Sequence, residues 1–153
     1  MTNTRITDPE ILEKRYPVIL REFSIRKGSG GGGLHPGGDG VVRDIEFRID
    51  LSVGILSDRR VHRPYGMAGG SPGESGQNLW ITHDADGPRT VSIGGKNTVF
   101  ARKGDRVIIK TPSGGGWGSP SNDVKSELLA EALQHQYRAT GSVAAMHAIQ
   151  QSN

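Results

Sequence analysis

Apolar and polar residues alternate in short runs along most of the first 110 residues. The clearest run extends from Val41 to Ile49, where Ile45 and Phe47 alternate with Asp44 and Glu46. Because successive side chains of a strand point to opposite faces, this period of two predicts a half-buried β-strand. Similar runs predict further strands at residues 18–26, 51–56, 79–82, 90–93, 98–101 and 106–110.

Two of these runs carry local detail. Over residues 18–26, strict alternation places Val18 and Leu20 on one face and Phe23 and Ile25 on the other, so both faces are mixed. Gly54 interrupts the run at 51–56, and a glycine inside a strand is typical of a β-bulge. We therefore expect unbroken alternation in the first strand and a bulge at Gly54.

Turn residues separate the later strands. Asp86-Gly87, Gly94-Gly95 and Lys103-Gly104-Asp105 are typical of tight connections between neighbouring strands. No helical run of ten or more residues lies between these strands, whereas parallel strands need a long crossover connection. The pattern predicts a mainly β domain, an antiparallel sandwich or barrel-like sheet.

Helical patterns occur only near the two ends of the chain. At the start, Asp8 is a candidate N-cap and Pro9 suits the first helical turn, while Tyr16-Pro17 ends the segment. After Pro120, apolar residues recur at helical spacing: Val124, Leu128, Leu129, Ala132, Leu133 and Tyr137. We expect a β-rich domain at residues 1–120 and a tail with one or two α-helices at residues 121–153.

Composition narrows the possible chemistry. The chain has no cysteine, which excludes disulfides and thiolate metal sites. Its five histidines show no spacing typical of metal ligands, so no metal site is predicted. No Gly-x-Ser-x-Gly elbow is present, and no pair of carboxylates stands out. The catalytic residues therefore stay unknown from the residues alone.

The charges argue against two classes of partner. The net charge is only +3, and basic residues are interspersed with acidic ones instead of forming the stripe that nucleic-acid binding favours. No apolar run approaches the roughly 20 residues of a membrane span, and the N-terminus lacks an apolar leader. We expect a cytoplasmic protein that binds neither nucleic acid nor membrane.

Glycine is concentrated in three segments, at residues 28–40, 65–70 and 111–118. Runs of backbone N–H groups can bind an anion, but these runs lack the Lys-Ser/Thr of a P-loop. In the third segment, Gly114, Gly115 and Gly116 follow a predicted strand and precede Trp117. Two interpretations stay open: their backbone is approached closely by a ligand, or glycine permits close packing under Trp117.

The densest basic cluster is Arg59-Arg60, with His62 and Arg63 beside it. The guanidinium fork suits planar oxyanions, so Arg59 and Arg60 are candidates to bind a carboxylate or phosphate. The alternative interpretation is a solvated strand end in which these arginines pair with Asp58 or Glu74.

Taken in order, the motifs resemble the C-terminal region of the hydantoinase B/oxoprolinase family, and most closely its eukaryotic oxoprolinases. The matching segments are Thr2–Glu13, Gly37-Gly38-Asp39-Gly40-Val41, Ser57-Asp58-Arg59-Arg60, Arg63-Pro64-Tyr65-Gly66, Gly94-Gly95-Lys96 and Thr111–Gly118. The family typically has Gly and Tyr where this chain has Ser113 and Trp117. Enzymes of the family are also much longer than this chain.

The resemblance implies a function for a longer enzyme. Such an enzyme opens the lactam of 5-oxo-L-proline to L-glutamate and couples this to ATP hydrolysis, with ATP and a divalent metal bound outside this chain. The remaining oxoprolinase and hydantoinase domains would be its partners, within a homo-oligomer. Arg59 and Arg60 would then hold a carboxylate or phosphate, and Gly114–Gly116 would supply close-approach backbone.

For the chain itself the resemblance leaves two functions open. In the first, it is the C-terminal part of an ATP-dependent 5-oxoprolinase and is inactive alone. In the second, it is a stand-alone, non-catalytic binding or assembly module of the same family. The motifs do not distinguish a 5-oxoproline lactam from a hydantoin as the substrate.

Overall fold

The fold was analysed in a computed structural model that describes residues 6–84 and 87–119. Within these residues there are one helix and seven strands: α1 (Pro9–Arg15), β1 (Val18–Arg26), β2 (Gly40–Phe47), β3 (Leu51–Leu56), β4 (Gln77–Asp84), β5 (Gly87–Ser92), β6 (Lys96–Ala101) and β7 (Arg106–Lys110). All seven predicted strands are present. The helices predicted after Pro120 lie outside the described residues, and the division at residue 120 stays a prediction.

The strands form two antiparallel sheets. Five strands lie in the order β1-β2-β7-β4-β5, and β3 pairs with β6 in a separate two-stranded sheet. The buried core residues are Val18, Phe47, Ile93, Ala101 and Val107, and Val53 and Val99 of the small sheet pack against them. Burial of each large apolar side chain stabilises the fold by about 1.5–3 kcal/mol. The predicted mainly β, antiparallel fold is confirmed.

The alternation predicted for β1 is wrong after Leu20. Leu20 pairs with Ile45 and Glu22 pairs with Asp44, so the register shifts between these pairs and Arg21 is the extra residue. An extra residue in one strand exchanges the faces of all residues beyond it. As a result, Phe23 comes to the same face as Val18 and Leu20. The bulge predicted at Gly54 is absent, because Gly54 pairs with Thr98 in an unbroken register.

The short helix α1 forms as its sequence predicts. The Asp8 carboxylate accepts hydrogen bonds from the N–H groups of Glu10 (2.9 Å) and Ile11 (3.4 Å). Pro9 occupies the first turn, where its missing N–H costs nothing. Leu12 packs against the core. Among the described residues, no helix is long and apolar enough to cross a membrane.

One ion pair on the opposite face of the large sheet was not predicted. Asp44 of β2 is almost fully buried, and it accepts hydrogen bonds from the Arg106 guanidinium of β7. This hydrogen bond raises the pKa of Arg106. A buried carboxylate that lost such a partner would be left uncompensated, so the pair constrains how β2 and β7 align.

The strand order brings the ends of four strands, where loops begin or finish, to one end of the large sheet. β1 ends at Arg26 and β7 ends at Lys110, while β2 begins at Gly40 and β4 begins at Gln77. Because neighbouring antiparallel strands alternate in direction, all four points lie at the same end of the sheet. The three glycine-rich loops start or finish there, and this is where the candidate site lies.

Candidate anion-binding site

Three loops stack main chain against main chain in what we call the glycine layer, defined as residues 28–38, 64–73 and 113–118. Each loop bonds to both others. The Gly31 N–H donates to the carbonyl of Gly114 (2.9 Å), and the Ser71 N–H donates to the carbonyl of Gly32 (2.7 Å). The Met67 N–H donates to the carbonyl of Gly116 (2.9 Å). The layer is therefore a continuous main-chain network.

The predicted close-approach residues Gly114, Gly115 and Gly116 lie inside this layer. A Cβ atom on Gly115 would overlap the carbonyl of Tyr65, and one on Gly116 would overlap the carbonyl of Gly32. A Cβ on Gly114 would lie 3.0 Å from the backbone nitrogen of Gly38. Within the described residues, the groups that approach this backbone are the other two loops.

The N–H groups of these three glycines differ in availability. Gly114 donates to the carbonyl of Gly38 (2.8 Å), and Gly116 donates to the carbonyl of Ser71 (3.0 Å). Among residues 6–84 and 87–119, the N–H of Gly115 has no hydrogen-bond acceptor. Gly115 is thus the member of the predicted trio whose N–H makes no hydrogen bond within these residues.

Two side chains fasten the layer. The Asp39 carboxylate accepts from the N–H groups of Gly28 (3.1 Å) and Gly30 (2.8 Å), and these hydrogen bonds lower the pKa of Asp39. The buried Ser113 hydroxyl donates to the carbonyl of Ser29 and accepts from the N–H of Glu74 (2.7 Å). Ser113, which departs from the family pattern, therefore links all three loops.

The predicted Arg59 and Arg60 line a separate cavity of about 560 Å³, which we call the arginine cavity. Its walls are formed by Ser57, Asp58, Arg59, Arg60, Val61, His62, Gly95 and Lys96. The cavity lies at the end of the β3–β6 pair, where Leu56 of β3 pairs with Lys96 of β6. The Ser57 N–H then donates to the carbonyl of Gly95 (2.8 Å) and closes the base.

Arg60 is held in a fixed position by neutral oxygens. Its Nη2 donates to Oδ1 of Asn78 (3.0 Å), and its Nη1 donates to the carbonyl of Asp58 (2.5 Å). Asn78 is fully buried and donates from Nδ2 to the Ser57 hydroxyl (2.8 Å) and to the carbonyl of Gly94 (2.7 Å). Within the described part of the chain, the Arg60 Nε is buried without a hydrogen-bond acceptor. Burial lowers the pKa of Arg60, and the nearby Asp58 charge opposes part of this effect.

Some other arginines of the chain, unlike Arg60, form ion pairs with carboxylates among the described residues. Arg26 pairs with Glu74, and Arg106 pairs with Asp44. Glu74 pairs with Arg26, and among the described residues no ion pair joins it to Arg59 or Arg60. Asp58 contacts Arg60 through its main-chain carbonyl. Among the described residues, Arg60 therefore has a positive charge without an ion-pair partner.

Arg59 is held differently, by its backbone and by an aromatic ring. Its φ of 58° lies in the left-handed region, which a non-glycine residue adopts at a cost of about 1–3 kcal/mol. Its guanidinium carbon lies 5.9 Å from the centroid of the Tyr65 ring, within cation–π distance. Tyr65 also contacts Gly115 through its carbonyl. This residue connects the arginine cavity to the glycine layer.

The site as a whole has the chemistry of an anion-binding surface. Arg59 and Arg60, the predicted anion-binding residues, lie together with Lys96 and His62, to which the sequence assigned no binding role. Lys96 belongs to the Gly94-Gly95-Lys96 motif, but only the pairing of β3 with β6 brings it beside Ser57. Among residues 6–84 and 87–119, no group of three or more His, Asp or Glu side chains could hold a metal ion.

Comparison with known proteins agrees with the motif resemblance. Residues 1–120 match the family model for Hydantoinase B/oxoprolinase. An uncharacterized protein of Schizosaccharomyces pombe is 51% identical over 158 residues, which cover 100% of this chain and 12% of the relative. The 5-oxoprolinase 1 of Arabidopsis thaliana is 57% identical over 119 residues, which cover 78% of this chain and 9% of that protein.

A solved structure has a similar fold. The crystal structure of an ATP-dependent caprolactamase from Pseudomonas jessenii superposes with a TM-score of 0.59 at 27% identity, over 80% of this chain and 22% of that one. The chain thus spans about a tenth of the length of these curated relatives and about a fifth of the solved neighbour.

Proposed function

The chain belongs to the Hydantoinase B/oxoprolinase family, and on this premise we propose that it is the C-terminal part of an ATP-dependent 5-oxoprolinase. The observation that carries the proposal is its 57% identity with 5-oxoprolinase 1 of Arabidopsis thaliana over 119 residues. The proposed reaction hydrolyses the lactam of 5-oxo-L-proline to L-glutamate. Because the chain matches only 9% of that relative, we propose that it is inactive alone.

The chemistry explains what an anion-binding segment would contribute. A lactam is a stable amide, and phosphorylation of its carbonyl oxygen would create a leaving group that makes attack by water feasible. Fixed positive groups stabilise a phosphorylated species and the oxyanion formed from it. In this proposal Arg59 and Arg60 bind the substrate carboxylate or the phosphate. The N–H of Gly115, which has no acceptor among the described residues, is the proposed close-approach donor of the glycine trio.

Other parts of the proposal concern groups outside the described residues. ATP and a divalent metal would be bound by the remaining oxoprolinase and hydantoinase domains. The described residues do not fit a metal, so no metal step is placed on them. We further propose a cytoplasmic homo-oligomer with no nucleic-acid or membrane partner, and a division between residues 1–120 and 121–153.

The alternative function is a stand-alone, non-catalytic binding or assembly module. One observation favours it: the hydrophobic core and the groups that hold Arg60 in place belong to this chain. Such a unit could bind an anionic ligand without the longer enzyme. The two functions differ in whether this segment supports turnover when it is joined to the missing domains.

A chimera tests the proposed function. The matching segment of Arabidopsis 5-oxoprolinase 1 is replaced by that of this chain, and glutamate and ADP formation from 5-oxoproline and ATP are measured. The chimera is expected to form both products, whereas the isolated chain forms neither. A chimera carrying Arg59→Gln is the matched variant, and a tenfold or larger loss of kcat/KM is expected if Arg59 binds a reacting anion.

Each outcome discriminates between the two functions. Sustained glutamate formation by the isolated chain would contradict inactivity alone. A folded but inactive chimera would contradict the enzyme role and favour the binding module. Circular dichroism and gel filtration of every protein establish that a loss of activity is not a loss of folding.

A further inference from the structure

We propose that the arginine cavity binds an oxyanion with two negative charges, such as a phosphate group, and that Lys96 and His62 complete its binding set. The inference rests on the proposed function only for the place of this group in a reaction. Its physical basis is the charge, the fixed geometry and the size of the cavity. Neither Lys96 nor His62 is among the residues that the sequence predicts to bind an anion.

The charge of the cavity favours a dianion. Arg59, Arg60 and Lys96 contribute three positive charges, and Asp58 contributes one negative charge among the lining residues. The sum is +2 with His62 neutral, because 3 − 1 = 2. A monoanion would leave part of this charge uncompensated, whereas a phosphate dianion would balance it. His62 adds a ring nitrogen that can donate a hydrogen bond.

Arg60 makes the site preorganised. Asn78 and the Asp58 carbonyl hold its guanidinium in place, so little side-chain entropy is lost when an anion arrives. Its charge is partly desolvated and has no carboxylate partner among the described residues. An arriving anion would therefore regain electrostatic energy that burial removes.

The β3–β6 pairing places Lys96 on the opposite wall. Lys96 is the first residue of β6 and pairs with Leu56, the last residue of β3. Leu56 directly precedes the Ser57–His62 segment, so Lys96 lies beside the start of that segment. The Ser57 hydroxyl is occupied, since it donates to Gly95 (3.0 Å) and accepts from Asn78 (2.8 Å). The charged side chains, and not this hydroxyl, are left to bind the ligand. Lysine is a common phosphate ligand because its ammonium acts as a compact point charge.

The size of the cavity indicates that the phosphate belongs to a larger molecule. A volume of about 560 Å³ lies within the range of small-molecule sites, roughly 300–1,000 Å³, and far exceeds one phosphate ion. Val61 and the stem of Lys96 provide apolar surface beside the charges. The site therefore suits a phosphorylated metabolite-sized ligand.

The test uses the full 153-residue chain and inorganic phosphate as the probe. Binding is measured by isothermal titration and by NMR, with acetate as a monoanion at the same ionic strength. Phosphate is expected to bind at least tenfold more tightly than acetate. Lys96→Gln is expected to weaken phosphate binding about three- to fivefold, as the loss of one partly exposed charge contact implies. Lys96→Arg is expected to restore most of the affinity.

Lys103→Gln is the matched control. It removes the same charge from an exposed residue that does not line the cavity, so less than a twofold change is expected. Equal weakening by Lys96→Gln and Lys103→Gln would overturn the proposal, because it would show attraction to the net charge alone. Equal affinities for phosphate and acetate would overturn the assignment to a dianion.

The outcome is separable from that of the chimera. Selective phosphate binding by the chain together with an inactive chimera would support the cavity and contradict the enzyme role. An active chimera with no selective phosphate binding, in the chain or in the chimera, would retain the enzyme role and contradict the cavity. Phosphate titration of both proteins therefore tests the two proposals independently.

Discussion

The glycine layer and the arginine cavity share the loop between β3 and β4 but are built in opposite ways. The layer consists of main chain whose donors and acceptors largely satisfy one another. The cavity consists of long charged side chains, and the Arg60 charge has no carboxylate partner within the described residues. The first region thus uses its polar groups to hold itself together, whereas the second leaves its charge available to a ligand.

The two regions should therefore respond to substitution in different ways. An added side chain in the layer meets main chain that cannot move aside, so the effect is steric and reduces stability. A changed side chain in the cavity alters charge in a partly exposed space, so the effect falls mainly on binding. Three substitutions test this contrast.

Gly115→Ala is expected to have the largest effect. Its new Cβ would overlap the carbonyl of Tyr65, and the main chain of two loops would have to separate. We expect a loss of about 3 kcal/mol in the free energy of unfolding, near the upper end of overpacking effects. Urea denaturation measures this loss.

Gly38→Ala is the matched control for this substitution. It makes the same chemical change in the same layer, but no atom lies within 4 Å of the new Cβ. A change of less than about 1 kcal/mol is expected. If both substitutions cost the same, close main-chain approach is not what requires glycine at position 115.

Arg59→Gly, in the arginine cavity, should change the stability of the fold in the opposite direction from Gly115→Ala. Glycine adopts the φ of 58° without the steric cost that arginine bears there, although it loses more backbone entropy on folding. At Arg63, which has no positive φ, the same substitution brings only the entropic cost. We expect the Arg59→Gly protein to be about 1.5 kcal/mol more stable than the Arg63→Gly protein.

Thermal and urea unfolding of both variants measure this difference, and phosphate titration supplies a second readout. Arg59→Gly should weaken phosphate binding while it spares or increases stability. Equal stabilities for the two variants would show that the backbone at Arg59 is not strained. Undiminished phosphate affinity would remove Arg59 from the binding set.

Asp39→Asn should have the smallest effect, and that effect should depend on pH. Hydrogen bonds from Gly30 and Gly28 lower the pKa of the folded Asp39 below its ordinary value of about 3.9. The ionised carboxylate therefore stabilises the folded state above about pH 4, and this contribution is lost as the pH falls through the lowered pKa. The difference in urea midpoint between wild type and Asp39→Asn should be largest near pH 6 and shrink below pH 4. A difference that is constant from pH 6 to pH 3 would contradict this role.

Local rules suffice for the elements of the fold. Period-two runs predict all seven strands, and Asp8-Pro9 predicts the helix α1. They fail at Arg21, because an extra residue in a strand shows itself only in the pairing with its neighbour. The ion pair between Asp44 and Arg106 is equally hidden, since its partners lie 62 residues apart and come together only through the order β2-β7.

The candidate site depends on this long-range order even more strongly. Arg59 and Arg60 could be singled out because basic residues cluster in sequence. Lys96 belongs to a sequence motif, but its place in the cavity could not be predicted, because it follows from the register of β6 against β3. The glycine segments predict that some group approaches their backbone closely, but not that this group is another glycine-rich loop. The loops converge only because of the strand order β1-β2-β7-β4.

The contact between Ser113 and Ser29 has a consequence for the time at which this region can form. Its two residues are separated by 84 positions, so Ser29 leaves the ribosome long before Ser113. At about 5–20 residues per second, the first glycine loop waits roughly 4–17 s for its partner during synthesis. Contacts between such distant residues also slow the folding of a β protein. Until the third loop arrives, the main-chain groups of the first are open to water, chaperones and proteases.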